Sequence, residues 1–132
     1  FKGFKADHLS FETKTPAAKT DDKEGPYFTP VFSREFKVDQ QGEGWLKLTA
    51  IIGQADDTMP FTAVAAITGR FHIPDLDRAK EIMEVNGTAI LFPYLRAVVT
   101  QLTAAANIPP VYLPTINLIE MFKAQEVPDT AE

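Results

Sequence analysis

The chain has 132 residues, with 13 basic and 18 acidic side chains, no cysteine and a formal net charge of -5. Hydrophobic residues make up 45% and charged residues 23%, the balance of one ordinary globular domain with a real core. These figures exclude a disulfide framework, a thiolate nucleophile and a cysteine zinc site, and the acidic balance argues against nucleic acid as the main partner. No run approaches the ~20 apolar residues that cross a bilayer. No export signal stands at the start, so a cytoplasmic location without membrane insertion is expected. Ten Phe, three Tyr and one Trp stand out against only two His.

Phe4, Ala6 and His8, then Leu9 and Phe11, alternate with a slip near Asp7-His8, the pattern of a strand with a bulge. Residues 13–27 are polar and broken by two prolines, a loop longer than a hairpin needs. Phe28, Phe32, Phe36 and Val38 mark a second strand, and Asp39–Gly44 a hairpin turn. The third strand, about Trp45 to Ile52, sets Leu46, Leu48, Ala50 and Ile52 against Trp45, Lys47, Thr49 and Ile51. After a turn over Gly53–Pro60, strand four has one apolar face (Phe61, Ala63, Ala65, Ile67, Phe71, Ile73) and one mixed face. The short turns predict an antiparallel meander.

Pro74-Asp75 signals a helix start. Beyond Asn86-Gly87, apolar residues from Ile90 to Ala105 recur at helical spacing, with Pro93 expected near the helix start and Asn107 at its end. An extended connector, Val111–Pro114, leads to a last helix over about Asn117–Gln125. The expected fold is α+β, a four-stranded antiparallel meander followed by a long helix and a short C-terminal helix. Residues 1–125 make the single domain, and residues 126–132 a disordered tail.

The long helix is apolar on more than one side, because Phe92 and Ala97 lie off its main stripe. A sheet covers one side of a helix, so a second copy of the protein is the economical cover for the other. A homo-oligomer is expected, with Leu91, Tyr94, Leu95, Val98, Val99 and Leu102 at the interface. The competing arrangement is a monomer with the helix sunk between the sheet and the last helix.

No catalytic constellation is visible. His8 and His72 stand alone on strands. Asp56-Asp57 and Asp75-x-Asp77 fit turn and helix-start chemistry and no cation loop, and the glycines form no phosphate loop. No catalytic residue, metal or cofactor is expected, and the chain reads as a binding or assembly protein rather than an enzyme.

Ile90-Leu91-Phe92-Pro93-Tyr94 followed by Arg96 resembles the ILFPYxR signature of the SecB protein-export chaperones. Ile108-Pro109, Leu113, Ile116-Asn117 and Met121-Phe122 resemble the family's continuation. Leu9-Ser10-Phe11-Glu12, the segment Phe32 to Val38, and Gly69-Arg70-Phe71 resemble its strands. The similarity runs in order along nearly the whole chain. It implies a tetramer built as a dimer of dimers and an ATP-independent holdase that binds unfolded polypeptides in an aromatic-rich groove. The matching groove positions are Phe28, Phe32, Phe61, Tyr112, Leu113 and Phe122.

The departures lie elsewhere. The family docks the SecA translocation motor through acidic residues on its exposed sheet face. Glu12 fits one such position, while His8 and Val64 replace two others, and Thr68 stands where a glycine is usual. Weak or no SecA binding is expected. Two other readings stand beside general export: a dedicated chaperone for an antitoxin or another single client, and an oligomeric domain that binds a small apolar ligand.

Overall fold

Alternating apolar residues give four strands: β1 (Phe4–Thr13), β2 (Val31–Val38), β3 (Glu43–Ile52) and β4 (Phe61–His72). The computed structural model describes residues 1–14, 30–53, 60–107, 111–113 and 118–125, with side chains up to Phe122. Every neighbouring pair of strands is antiparallel, in the order β1-β4-β3-β2. Only β2 to β4 form a meander, because β1 lies beyond β4 rather than beside β2. The length of the 14–30 link is the reason: it joins opposite edges at the same end of the sheet, a span of about 14 Å for three strand spacings. A two-residue turn would instead have paired β1 with β2.

The slip expected at Asp7 is a bulge. Register shifts between Ala6 and His8, and the Asp7 carboxylate accepts a hydrogen bond from the Thr68 hydroxyl. The shift lets Leu9 and Phe11 share the inner face with Phe4 despite the extra residue. Apart from half-buried Gly44, the inner-face positions of β3 and β4 are buried, from Leu46 and Ile67 at 0% exposure to Phe61 at 7%.

Over this face lies one continuous helical run, Leu76–Ala105. It opens as a 3-10 turn (Leu76–Arg78), continues as α1 (Ala79–Ile82), widens into a π turn (Met83–Gly87) and proceeds as α2 (Thr88–Ala105). Asn86-Gly87 therefore does not separate two helices. A Cβ on Gly87 would sit 3.1 Å from Met83 Sδ and 3.4 Å from Leu46 Cδ2, so this glycine lets the helix approach the sheet closely. Pro93 falls inside the run rather than near its start. Its ring is on the exposed side, so the backbone bond it forgoes lies away from the core. The helix ends as expected at Asn107, which takes φ 63° and donates its N–H to the Ala104 carbonyl at 3.0 Å.

The run is long and apolar enough, on those two criteria, to cross a membrane, which core helices also satisfy. Here Leu91, Leu95 and Val99 lie in the core at 0–1% exposure. The short helix α3 (Leu118–Gln125) packs beside α2 and contributes buried Leu118 and Phe122.

The β2–β3 hairpin is set by Asp39, whose Oδ1 accepts the backbone N–H groups of Gln41 (2.8 Å) and Glu43 (2.9 Å). Gly42 follows at φ 84°, and a Cβ there would lie 2.5 Å from the Ile73 carbonyl oxygen, a backbone atom that cannot step aside. Gly42→Ala is expected to destabilise the fold by about 2 kcal/mol or more, read as a lower urea midpoint at unchanged slope.

Candidate functional site

Residues 111–113 leave α2 as an extended segment, and their apolar side chains alternate. Val111 and Leu113 point inward at 8% and 2% exposure, while Tyr112 stands out at 70%. A buried extended backbone needs hydrogen-bond partners, and α2 supplies them from one face. Thr103 Oγ1 accepts the Val111 N–H at 2.8 Å and donates back to the helix carbonyls of Val99 or Thr100. Thr100 Oγ1 donates to the Val111 carbonyl at 3.0 Å, and Arg96 Nε to the Leu113 carbonyl at 3.3 Å. A cavity of about 260 Å3, lined by Pro93, Arg96, Ala97, Thr100, Tyr112 and Leu113, lies between this segment and the outer side of α2.

Beneath the connector and α3 runs an aromatic layer. Phe32 meets Phe92 edge-on at 5.8 Å between ring centres, and Phe61 stacks with Phe11 at 5.1 Å. The Phe122 ring lies 4.4 Å below the Arg34 guanidinium. Arg34 is itself only 9% exposed. It donates to the Glu84 carbonyl at 3.1 Å, and the Glu84 carboxylate stands at 4.0 Å. Sequence reasoning passed over Arg34. Its signal was parity: it shares the inner face of β2 with Phe32 and Phe36, where a cation must find partners.

Of the groove residues expected from sequence, Phe32, Phe61, Leu113 and Phe122 are thus brought together in the core of the single chain, at 2–7% exposure. Tyr112 alone is open, and Phe28 lies outside the described residues. The six expected interface residues divide by helical face. Leu91, Leu95 and Val99 are spent on the sheet, Tyr94 is 41% exposed, and Val98 and Leu102 are half-buried.

The outer side of α2 carries Ile90, Pro93, Tyr94, Ala97, Gln101 and Ala104, a stripe without a charge. Tyr94 continues it onto the β1 edge, stacking on Phe1 (5.6 Å) and packing at a tilt on Phe4 (4.8 Å), both more than a third exposed. On the other face of the sheet, the register puts Glu12, Val64 and His8 near one another, with Glu12 the one acid among them. Among the described residues no cluster of three or more His, Asp or Glu side chains could hold a metal ion.

Comparison with known proteins assigns this architecture. The family described as preprotein translocase subunit SecB matches residues 6–128. The chain belongs to the SecB family. Among curated relatives, an uncharacterized protein of Methanocaldococcus jannaschii is 40% identical over 80 residues, 58% of this chain and 50% of that one. The protein-export protein SecB of Methylibium petroleiphilum is 34% identical over 74 residues, 54% of this chain and 45% of that one. The chain thus spans about half the length of the curated relatives it matches. A SecB-like chaperone of Mycobacterium tuberculosis, solved in complex with a ChAD peptide from an antitoxin, superposes with a TM-score of 0.68 at 16% identity. That match covers 87% of this chain and 88% of the other, so the four-stranded sheet, long helix and short C-terminal helix form the SecB-like fold.

The connector depends on one hydroxyl. Thr103→Val keeps the shape but strands the Val111 N–H, and is expected to cost about 1–3 kcal/mol. Amide exchange at Val111 should accelerate in this variant and stay slow in Thr103→Ser, which retains the bond.

Proposed function

We propose that this SecB-family protein is an ATP-independent holdase that binds non-native polypeptide segments on the aromatic surface around the connector. The observation that carries the reading is the family match over residues 6–128. Tyr112 supports it: a 70% exposed aromatic on an extended segment offers apolar area that binds a chain without reading its sequence. Phe32, Phe61, Leu113 and Phe122 line the same region from below, so client contact with them requires the connector or α3 to shift. No catalytic, metal or cofactor chemistry enters this reading, and its expected station is the cytoplasm.

A dedicated client is the second reading, favoured by the structural neighbour solved with an antitoxin peptide. The outer face supports it as well, because Glu12 without acidic partners at His8 and Val64 makes a poor dock for SecA.

We further propose a homo-oligomer, a tetramer formed as a dimer of dimers. The charge-free stripe of α2 and the open edge of β1 would be its contact surfaces, since an exposed apolar stripe and an unpaired strand edge are each costly to leave in water. Tyr94, Val98 and Leu102 are its central residues.

A stoichiometric amount of the protein should slow aggregation of a chemically unfolded client. Failure to slow it overturns the holdase reading. Tyr112→Ser should weaken that protection several-fold while changing stability by less than about 0.5 kcal/mol, as expected for an exposed side chain. For assembly, Ala97→Glu puts a charge on the α2 stripe and should shift the sedimenting species to a smaller one. A wild type that sediments only as the 14.6 kDa chain would remove the oligomer.

A further inference from the structure

The sheet face turned away from the helices carries a feature that client binding does not use. Strand alternation puts Lys37 of β2, Trp45 and Lys47 of β3, Thr68 and Arg70 of β4, and Lys5 of β1 on that face. Register sets Lys37, Trp45 and Arg70 side by side in one row, and Lys47, Thr68 and Lys5 in the next. Trp45, 37% exposed, stands among the four cations. Beside it opens a cavity of about 570 Å3 lined by Lys2, Lys5, Trp45, Thr68 and Arg70, with Asp39 and Glu43 among its walls.

Most acids nearby are already engaged. Glu43 accepts from Lys2 Nζ and His72 Nδ1, each at 2.7 Å, and these two contacts hold its carboxyl below the usual carboxylate range. Asp39 caps the hairpin through Gln41 and Glu43, and Asp7 takes the Thr68 hydroxyl. Glu35 stands opposite Lys47 in the register and makes no ion pair among the described residues. Lys5, Lys37, Lys47 and Arg70 make no ion pair or side-chain hydrogen bond among the described residues, on a chain whose net charge is -5. The other half of the face, with His8, Ser10, Glu12, Thr62, Val64 and Ala66, has no such concentration of charge.

We propose that this basic half-face docks an acidic polypeptide segment that carries an apolar residue. Trp45 is the anchor, and Lys5, Lys37, Lys47 and Arg70 meet the carboxylates. Charge complementarity selects the sign of the ligand, and Trp and Arg are residue types enriched in binding hot spots. The interleaved acids select a peptide over a nucleic acid: a continuous phosphate backbone would be driven against Glu35, Asp39 and Glu43, whereas spaced carboxylates can avoid them. The concave shape selects against a flat anionic bilayer. The site lies on the opposite face from the connector, so it is independent of the client surface.

Trp45 is the single Trp of the chain, so its fluorescence reports on the site directly. The full chain would be titrated with a short peptide of alternating Glu and Leu, and in parallel with its Lys-Leu counterpart, oligothymidylate and phosphatidylserine vesicles. The expected result is a saturable change with the acidic peptide only, weakened by salt because the charges are exposed. Lys47→Glu with Arg70→Glu should weaken it by about tenfold, and Lys47→Arg with Arg70→Lys should restore it. Should the reversed pair fail to fold by circular dichroism, Lys5→Glu with Lys37→Glu makes the same test from the other two strands. Absence of saturable binding, equal affinity in the reversed variants, or tighter binding of oligothymidylate or vesicles would overturn the proposal.

Discussion

The seating of the helix on the sheet is the contact on which the rest of the molecule depends. The floor under it is made of small residues. A Cβ on Gly44 would come within 2.8 Å of Met83 Cε, and one on Gly69 within 2.9 Å of Leu91 Cδ1. Ala50, Ala63 and Ala65 continue the floor at 1–2% exposure. The helix answers with large side chains, since Met83, Leu91, Leu95 and Val99 are all at 0–1%. Each such side chain contributes roughly 1.5–3 kcal/mol of burial, so this face alone outweighs any single polar contact in the chain.

That seating fixes what remains for binding. With one face of α2 spent on the sheet, its flank of Arg96, Thr100 and Thr103 receives the connector, and its outer stripe stays uncharged. The connector is not part of the sheet, whose edges are β1 and β2. The Val111 and Leu113 carbonyls and the Val111 N–H are satisfied instead by helix side chains spaced about one turn apart. An extended segment held in this way must alternate, so burying Val111 and Leu113 forces Tyr112 outward. The exposed aromatic is thus a geometrical consequence of the core.

Periodicity carried the strands and the helix stop because both are local. The bulge at Asp7, the inner faces of β3 and β4 and the cap at Asn107 follow from neighbouring residues alone. Strand order was not local. It turned on a link whose length was visible but whose destination was not. Glycine is a poor helix former by propensity, yet Gly87 lies inside the helical run, because the packing uses its missing side chain. The candidate site was legible as a set of residues and illegible as a surface. Spacing puts Phe32, Phe61 and Phe122 on apolar faces, but says nothing of what covers them. The same limit applies to α2: a broad stripe announces two contacts without saying which leucine serves which.

Arg34 shows how the polar and apolar parts are joined. A cation at 9% exposure is unfavourable unless its charge and donors are met. The helix beside it is in its π turn, where the wider winding changes which carbonyls find an N–H within the helix. Arg34 donates to one carbonyl of that turn, Glu84, and reaches the Thr88 hydroxyl at 3.4 Å. Its flat face is left for the Phe122 ring of α3. One side chain therefore ties an edge strand, an irregular helix turn and the C-terminal helix together. A leucine there would fill the space, but it could neither donate to the Glu84 carbonyl nor set a cation over the Phe122 ring. Arg34 thus gives α3 a directional link to the sheet, while the strength of the fold lies in the leucines.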